Sequence, residues 1–228
     1  MNILSFDIGI KNLCYCELSP DKSILDWKII NISNDVPCQH ILKNKNKSQC
    51  CKTATYIYNQ NLDKKDFYLC TAHSKHKSYN KVKKFKNKKD GLFYVGQNLV
   101  KAFDDLNFKN RNIFSVIVEN QPSLKNPTMK SIQMMVYTYF LINGVCNSDS
   151  TIKELEMINA RNKLKVYNGP EIKCDITERY KRNKWLAVKY CDYMIQNEKD
   201  EYKELFEESK KKDDLSDSYL QGIYYICK

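Results

Sequence analysis

Three short apolar segments near the N-terminus predict three β-strands: Ile3–Asp7, Leu13–Leu18 and Ile24–Ile32. The link between the second and third contains Ser19-Pro20-Asp21-Lys22, a run of residues that favours turns. Strands joined by such short links most simply form an antiparallel meander. After Pro37 the apolar pattern stops, and the chain stays polar and basic as far as residue 90. This change of pattern predicts a module inserted after the third strand.

Helical and extended patterns alternate through the rest of the chain. They predict a helix from Leu92, strands over 112–119 and 155–159, and helices over 126–140, 177–196 and 213–227. We expect Met134, Met135, Tyr137 and Phe140 to be the core contacts of the second of these helices, and 197–212 to be a polar connection. The order is that of the ribonuclease-H-like fold, an α/β fold with a mixed five-stranded sheet flanked by helices.

The composition narrows the functional classes. With 228 residues the chain can build one sizeable core plus an inserted module. It has no apolar run of about 18 residues, so we expect no membrane-spanning helix. The strand pattern begins at Ile3, which leaves no room for a leader peptide. The ten cysteines are therefore expected to be reduced thiols in an intracellular compartment.

The positive charge is concentrated in the predicted insert. Residues 43–90 hold 14 lysines and 3 acids, a formal charge of +11 that equals the net charge of the whole chain. A dense basic segment attracts polyanions, of which nucleic acid is the commonest inside cells. A solvated lysine-rich loop is the alternative. In the first interpretation, the segment is a DNA-binding arm. Its contacts to the DNA phosphate backbone are then made by residues that include Lys81, Lys83, Lys84 and Lys86.

Four acids occupy ends of predicted elements. Asp7 ends the first strand, Glu119 ends the strand over 112–119, and Asp214 and Asp217 share one face at the start of the last helix. Carboxylates brought together would repel one another unless a cation compensates them. Mg²⁺ accepts carboxylate oxygens, and two such ions can serve phosphodiester hydrolysis. Helix capping and ion pairing with lysine remain the alternatives for the individual acids.

Three motifs in this order resemble the Holliday junction resolvases of poxviruses and other large DNA viruses, relatives of the bacterial RuvC and fungal mitochondrial enzymes. The motifs are Phe6-Asp7-Ile-Gly-Ile-Lys11-Asn12, Val118-Glu119-Asn-Gln-Pro122 and Lys211-Lys-Asp-Asp214-Leu-Ser-Asp217. The resemblance implies a homodimer that cuts four-way DNA junctions with two Mg²⁺ or Mn²⁺ ions per active site. It also implies that Asp7, Glu119, Asp214 and Asp217 are the catalytic, metal-binding acids.

The resemblance implies a basic catalytic residue between the second and third motifs. Among Arg161, Lys163 and Lys165 we prefer Lys163, whose charge could neutralise the phosphate in the transition state. An ordinary phosphate contact and a simply solvated side chain are the alternatives. Lys11 and Asn12 are expected to contact the DNA backbone. The location implied is a viral replication site in the host cytoplasm or nucleus.

The insert also carries a candidate zinc site. Cys38, Cys50, Cys70 and His73 offer four ligands of the types that structural zinc takes tetrahedrally. Cys51 competes with Cys50, and His40 and His76 are further candidates. The pattern resembles zinc-ribbon-like inserts of related viral resolvases. We therefore predict a nuclease domain over 1–36 and 90–228 and a zinc-binding module over 37–89, in which metal supplies much of the folding free energy.

Two other functions fit the same features. A ribonuclease-H-type enzyme would keep the acids and act on an RNA–DNA hybrid. A non-catalytic zinc-containing nucleic-acid-binding protein would use the acids as caps and ion pairs. Metal-dependent cleavage distinguishes the non-catalytic binding protein from both nucleases, and substrate competition between a junction and a hybrid distinguishes the two nucleases from each other.

Overall fold

The structure, a computed structural model, describes residues 1–43, 47–50, 52–59, 66–85, 91–124 and 126–228. The chain divides into two compact units, residues 1–32 with 96–228, and residues 33–95. The predicted module, 37–89, lies inside the second unit, and its exact boundaries stay a prediction.

The strands, in chain order, are β1 Asn2–Asp7, β2 Leu13–Leu18, β3 Ile24–Ile30, β4 Tyr56–Asn59, β5 Asp66–Leu69, β6 Lys83–Lys84, β7 Ile113–Glu119 and β8 Glu154–Ile158. The α-helices are α1 Leu92–Asp105, α2 Pro127–Phe140, α3 Arg179–Met194, α4 Asp200–Glu208 and α5 Lys212–Ile226. A π-helical turn, Leu141–Val145, extends α2, and a 3₁₀ helix, Ala160–Val166, follows β8.

The first unit contains a five-stranded mixed sheet with the order β3-β2-β1-β7-β8. The pairs β1–β2 and β2–β3 are antiparallel, whereas β1–β7 and β7–β8 are parallel. This confirms the predicted ribonuclease-H-like sheet. Because β1 and β7 are parallel neighbours, their C-terminal residues Asp7 and Glu119 lie at the same edge of the sheet.

Helix α5 packs on one face of this sheet. Its residues Leu215, Leu220 and Ile223 are buried with residues of β2 and β3. Gly222 permits a close approach, since a Cβ at this position would lie 2.6 Å from a methyl carbon of Leu18. The side-chain amide of Gln221 donates to the carbonyl oxygen of Phe6 at 3.2 Å. The start of α5, with its acids, is thereby held beside the end of β1.

One expectation about the helices was wrong and another was wrong in part. The stretch predicted as a polar connection contains α4, whose Tyr202 and Phe206 are buried four residues apart. Of the expected core contacts of α2, Phe140 is buried, Met135 and Tyr137 are half-buried and Met134 is 40% exposed. The other buried apolar residues of α2 are Ile132, Val136 and Tyr139. The buried face is the one that meets the sheet and α1, and the apolar residues of α2 are too evenly spread to identify that face from the pattern.

The second unit contains a small three-stranded sheet, in which β4 pairs antiparallel with both β5 and β6. The β4–β5 hairpin pairs Tyr58 with Phe67 and Tyr56 with Leu69. The core cluster of the unit contains the buried residues Cys38, Leu69 and Cys70, with aromatic rings packed around them. The nine cysteines within the described residues are free thiols. Within the same residues, every helix is too short or too polar to cross a bilayer.

Candidate active site and metal cluster

The four predicted acids line one cleft in the first unit. The cleft has a volume of about 470 Å³, and its walls include Asp7, Glu119, Asp214, Asp217 and Lys163. The acids come from the ends of two parallel strands and from the first turns of α5. The structure therefore brings together residues that are far apart in sequence, and it places the predicted lysine among them.

Asp7 is the most deeply buried acid of the cleft, with 9% of its surface exposed. Burial raises its pKa well above the ordinary value, and a hydrogen bond to Glu119 and the charges of Glu119 and Asp217 raise it further. Only Lys163 among the named causes lowers it. The protonated form of Asp7 is favoured because burial, and then the neighbouring acids, oppose the charged form.

Asp217 and Lys163 form an ion pair inside the cleft, with 2.5 Å between the carboxylate oxygen and Nζ. Each side chain is only 15% exposed. Burial raises the pKa of Asp217 to about 6, although the charge of Lys163 opposes this change. Burial disfavours the charged form of Lys163, but the nearby acids, Asp217 foremost, raise its pKa. Lys163 is therefore a resident cation of the cleft.

The neighbouring acids at the start of α5 have different surroundings. Asp214 lines the cleft, and burial followed by the charge of Asp213 raises its pKa. Asp213 instead accepts a hydrogen bond from Lys184 at 2.6 Å. Despite its partial burial, this contact lowers the pKa of Asp213. The structure thus separates Asp214, a cleft residue, from Asp213, which is neutralised by α3.

Lys11 and Asn12 line a second cavity of about 410 Å³ that also contains Gly9, Lys211 and Asp214. A hydrogen bond from the Asn12 side chain lowers the pKa of Asp214, against the effect of burial. Gly9 is required for this turn, because a Cβ there would lie 2.5 Å from the carbonyl oxygen of Asn12. The predicted DNA-contacting residues therefore adjoin the acids.

Several residues of the site were not identified from the sequence. Tyr180, Asn183 and Lys184 of α3 form one wall of the cleft. Gln133 of α2 accepts a hydrogen bond from the backbone N–H of Gln121 at 2.8 Å and so holds the segment after Glu119. Their positions depend on how α2 and α3 pack against the sheet. The only information about this packing in the sequence is the spacing of the apolar residues of the two helices.

The second unit contains the predicted cluster of Cys38, Cys50, Cys70 and His73. Their ligand atoms all lie within 4.8 Å of one another. Nδ1 of His73 lies 3.5 Å from the sulfur of Cys38 and 3.4 Å from that of Cys70. The competing Cys51 lies outside the described residues.

The predicted DNA-binding lysines are in the same unit. Lys81 precedes β6, and Lys83 and Lys84 form it, all three with exposed side chains. Strand β6 pairs with Tyr56 and Ile57 of β4. Lys86 lies outside the described residues.

No protein-family model matches the chain. It is 34% identical over 255 aligned positions to "Uncharacterized protein L451" of Acanthamoeba polyphaga mimivirus, and the match covers 95% of the chain. The chain spans about 60% of the length of this curated relative.

Among solved structures, the chain is similar to the yeast mitochondrial Holliday junction resolvase Ydc2, with a TM-score of 0.52 and 15% identity, over 98% of this chain and 78% of that one. It is more distantly similar to the fowlpox virus Holliday junction resolvase, with a TM-score of 0.45 and 16% identity, over 99% and 98% of the two chains. The second likeness is too distant to support an argument. From the first and from its own strand order, the chain has the ribonuclease-H-like fold that it shares with Ydc2.

Proposed function

We propose that this protein is a Holliday junction resolvase, a metal-dependent endonuclease that cuts four-way DNA junctions. The observation that carries the proposal is the convergence of Asp7, Glu119, Asp214 and Asp217 in one cleft of a ribonuclease-H-like fold. The resemblance of the three motifs that contain these acids to viral resolvases supplies the substrate class.

The donor set of the cleft fits divalent cations. Four carboxylates line it together with Arg161, Lys163 and Lys184, and the pKa of Asp7 is raised by burial and by the neighbouring acids, an effect that Lys163 only partly opposes. The four acids would hold two Mg²⁺ or Mn²⁺ ions through carboxylate oxygens, the ligands that these ions prefer. When bound, the ions supply Lewis-acid activation of water and stabilisation of the leaving 3′ oxygen.

The protein's own residues prepare this chemistry. Asp7 and Glu119, at the ends of adjacent parallel strands, form a rigid pair of acids. Lys163 is held in the cleft by Asp217, where its Nζ can donate to a non-bridging oxygen of the scissile phosphate. Asn12, beside Asp214, and Lys11 face the next stretch of the DNA backbone. Cleavage would leave a 5′-phosphate and a 3′-hydroxyl.

The Cys/His cluster fits zinc. Bonds of about 2.3 Å to sulfur and about 2.0–2.1 Å to nitrogen, at a tetrahedral angle, place S and N about 3.5–3.6 Å apart. The two sulfur–nitrogen distances of 3.4 and 3.5 Å agree with this value. Zinc held by Cys38, Cys50, Cys70 and His73 would be structural, because all four positions come from the protein.

The module would then bind DNA through Lys81, Lys83, Lys84 and Lys86. These contacts are of the phosphate type, which position the protein on its substrate without reading sequence. A homodimer supplies the second active site that paired nicks require. The mimivirus relative supports a viral protein. A junction resolvase of a virus would act in DNA recombination or replication, at a viral replication site.

The test is cleavage of a synthetic four-way junction by the zinc-loaded protein in Mg²⁺, with duplex and RNA–DNA hybrid of the same sequence as competitors. Glu119→Gln preserves the size of the side chain and removes its charge, and Asp213→Asn is the matched control outside the cleft. We expect paired nicks from the wild type and from Asp213→Asn, and binding without cleavage from Glu119→Gln. Preferential cleavage of the hybrid would contradict the proposed substrate. Junction binding without cleavage by the wild type would contradict the proposal that the protein is an enzyme.

A further inference from the structure

His40 and Tyr79 form a second layer around the Cys/His cluster. The ring of His40 stacks on the ring of His73, with 3.9 Å between centroids and 25° between planes. Nδ1 of His40 lies 2.8 Å from the hydroxyl oxygen of Tyr79. Nδ1 of His73 points to the sulfurs of Cys38 and Cys70. His40 therefore covers the face of the ligand ring and leaves its ligating nitrogen accessible to a metal.

The ring of Tyr79 is anchored in turn by the hairpin of β4 and β5. It stacks on Phe67 at 5.6 Å between centroids and meets Tyr58 edge-on at 5.4 Å. These two residues are directly opposite each other in the hairpin. His40 is thus fixed between a ligand of the cluster and a packed group of three aromatic rings.

The same hairpin holds the basic strand. Lys84 pairs with Tyr56, and Lys83 pairs with Ile57, on the side of β4 opposite β5. The backbone N–H of Phe85, the residue after Lys84, donates to the carbonyl oxygen of Thr55 at 2.8 Å. One short hairpin therefore contacts both the second layer of the cluster and the exposed lysines.

We propose that His40 and Tyr79 are positioning residues of the metal cluster, and that they couple its occupancy to the placement of β6 against a DNA backbone. The coupling rests on the zinc site proposed above. Groups outside the ligand shell fix the orientation of a ligating ring and so raise metal affinity. A metal that orders this shell also orders the hairpin packed on it, and DNA bound to the hairpin must tighten the metal by the same factor.

The test uses the full-length protein with Glu119→Gln as background, so that bound junctions remain intact. Tyr79→Phe removes the hydroxyl and keeps the ring, and His40→Phe keeps a stacked ring and removes the hydrogen bond. Tyr68→Phe is the matched control, since Tyr68 lies in the same hairpin and packs on Phe85. Zinc affinity is measured by competition with a chromophoric chelator, and the ligand field is followed by the absorption of Co²⁺ in place of zinc.

We expect Tyr79→Phe and His40→Phe to lower zinc affinity by about tenfold, at the weak end of the range for residues outside the ligand shell, with a changed cobalt spectrum. Tyr68→Phe should have the same zinc affinity and the same cobalt spectrum as the background protein. With limiting zinc, junction affinity should fall in the two variants, and saturating zinc should restore it.

The possible outcomes distinguish a failure of this inference from a failure of the proposed function. A protein that shows no thiolate-to-Co²⁺ absorption lacks the zinc site itself. Equal zinc affinities and identical cobalt spectra in Tyr79→Phe and the background would overturn the positioning role and leave the zinc site standing. Junction affinity that does not change with zinc would overturn the coupling to β6. Neither of the last two outcomes bears on cleavage by the acids.

Discussion

The charge of Asp217 should destabilise the protein when Mg²⁺ is absent. Its pKa of about 6 in the folded protein lies above the ordinary value of 3.8. A raised pKa contributes stability that is present below the unfolded-state value and is lost as the pH rises through the folded-state value. The pH window is therefore about 4 to 6, and the free energy lost across it is about 3 kcal/mol at 1.36 kcal/mol per pKa unit.

Asp217→Asn isolates this contribution, because the amide resembles the protonated acid in shape and charge. About 2 kcal/mol of the difference falls between pH 4.5 and 7.5. For a protein of this size that corresponds to about 4–8 °C in Tm. Relative to the wild type, the variant should therefore gain about 4–8 °C as the pH is raised over this range, and added Mg²⁺ should remove much of the gain by stabilising the wild type.

The assay is thermal unfolding of zinc-loaded protein in Mg²⁺-free buffer, followed by tryptophan fluorescence. Both tryptophans, Trp27 and Trp185, belong to the unit that holds the acids, so the signal reports on that unit alone. Asp213→Asn is the control without a pH trend in this range, because Lys184 lowers the pKa of Asp213 below its ordinary value of 3.8 and the resulting stabilisation is already complete above about pH 4.5. The stability difference between that variant and the wild type should stay constant between about pH 4.5 and 7.5. An Asp217→Asn variant that is less stable than the wild type at pH 7.5 would refute the reasoning, since Asp217 would then be a net stabilising partner of Lys163.

Three further predictions concern the frame of the first unit, the basic strand β6 and the Cys/His cluster. Arg111 lies 2.8 Å from carboxylate oxygens of both Glu17 and Asp26. Arg111→Met should lower the free energy of unfolding by about 3–5 kcal/mol in urea titrations, because it leaves the buried carboxylate of Glu17 without its cation, whereas Asp26 keeps Lys28. The Lys83→Ala and Lys84→Ala substitutions should each weaken junction binding and reduce the slope of log affinity against log salt by about 1, as expected for a phosphate contact. Removal of zinc by a chelator should unfold the second unit and leave the tryptophan signal of the first unchanged, as measured by circular dichroism and fluorescence together.

Each of these predictions has its own control. A triple variant in which the two acids that pair with Arg111 are also replaced by amides should recover part of the lost stability. A lysine on α3 outside the cleft, Lys189, should leave the salt slope unchanged when replaced by alanine. Readdition of zinc should restore the circular dichroism signal, whereas readdition of Mg²⁺ should not. If a control does not give the result stated for it, the effect of that perturbation is due to general misfolding and the corresponding prediction is contradicted.

The strands and the edge of the sheet that carries the acids were predictable because local patterns determine them. The apolar run of β2 gave its observed bounds, Leu13–Leu18. The parallel pairing of β1 and β7 follows from the order of elements, and it alone brings Asp7 and Glu119 to one edge. The Cys/His spacing likewise gave the four residues that the structure clusters.

Individual side-chain contacts between distant elements were not predictable, because no local pattern encodes them. The contact between Lys184 and Asp213 joins α3 to α5, and its two residues are ordinary surface types in the sequence. The stacking of His40 on His73 depends on a turn of the module that the spacing of its ligands does not specify. Helix α4 was missed because six of its nine residues are charged, although Tyr202, Leu205 and Phe206 have helical spacing.

The most direct test of the central claim is cleavage of a supercoiled plasmid that extrudes a cruciform, by the zinc-loaded protein in Mg²⁺. The account predicts a linear product with opposed nicks at the base of the cruciform, and it predicts that Asp7→Asn binds the plasmid and leaves it supercoiled. Nicked circles formed equally from a plasmid without the cruciform, or linear product formed by Asp7→Asn, would contradict a junction resolvase that acts through this cleft.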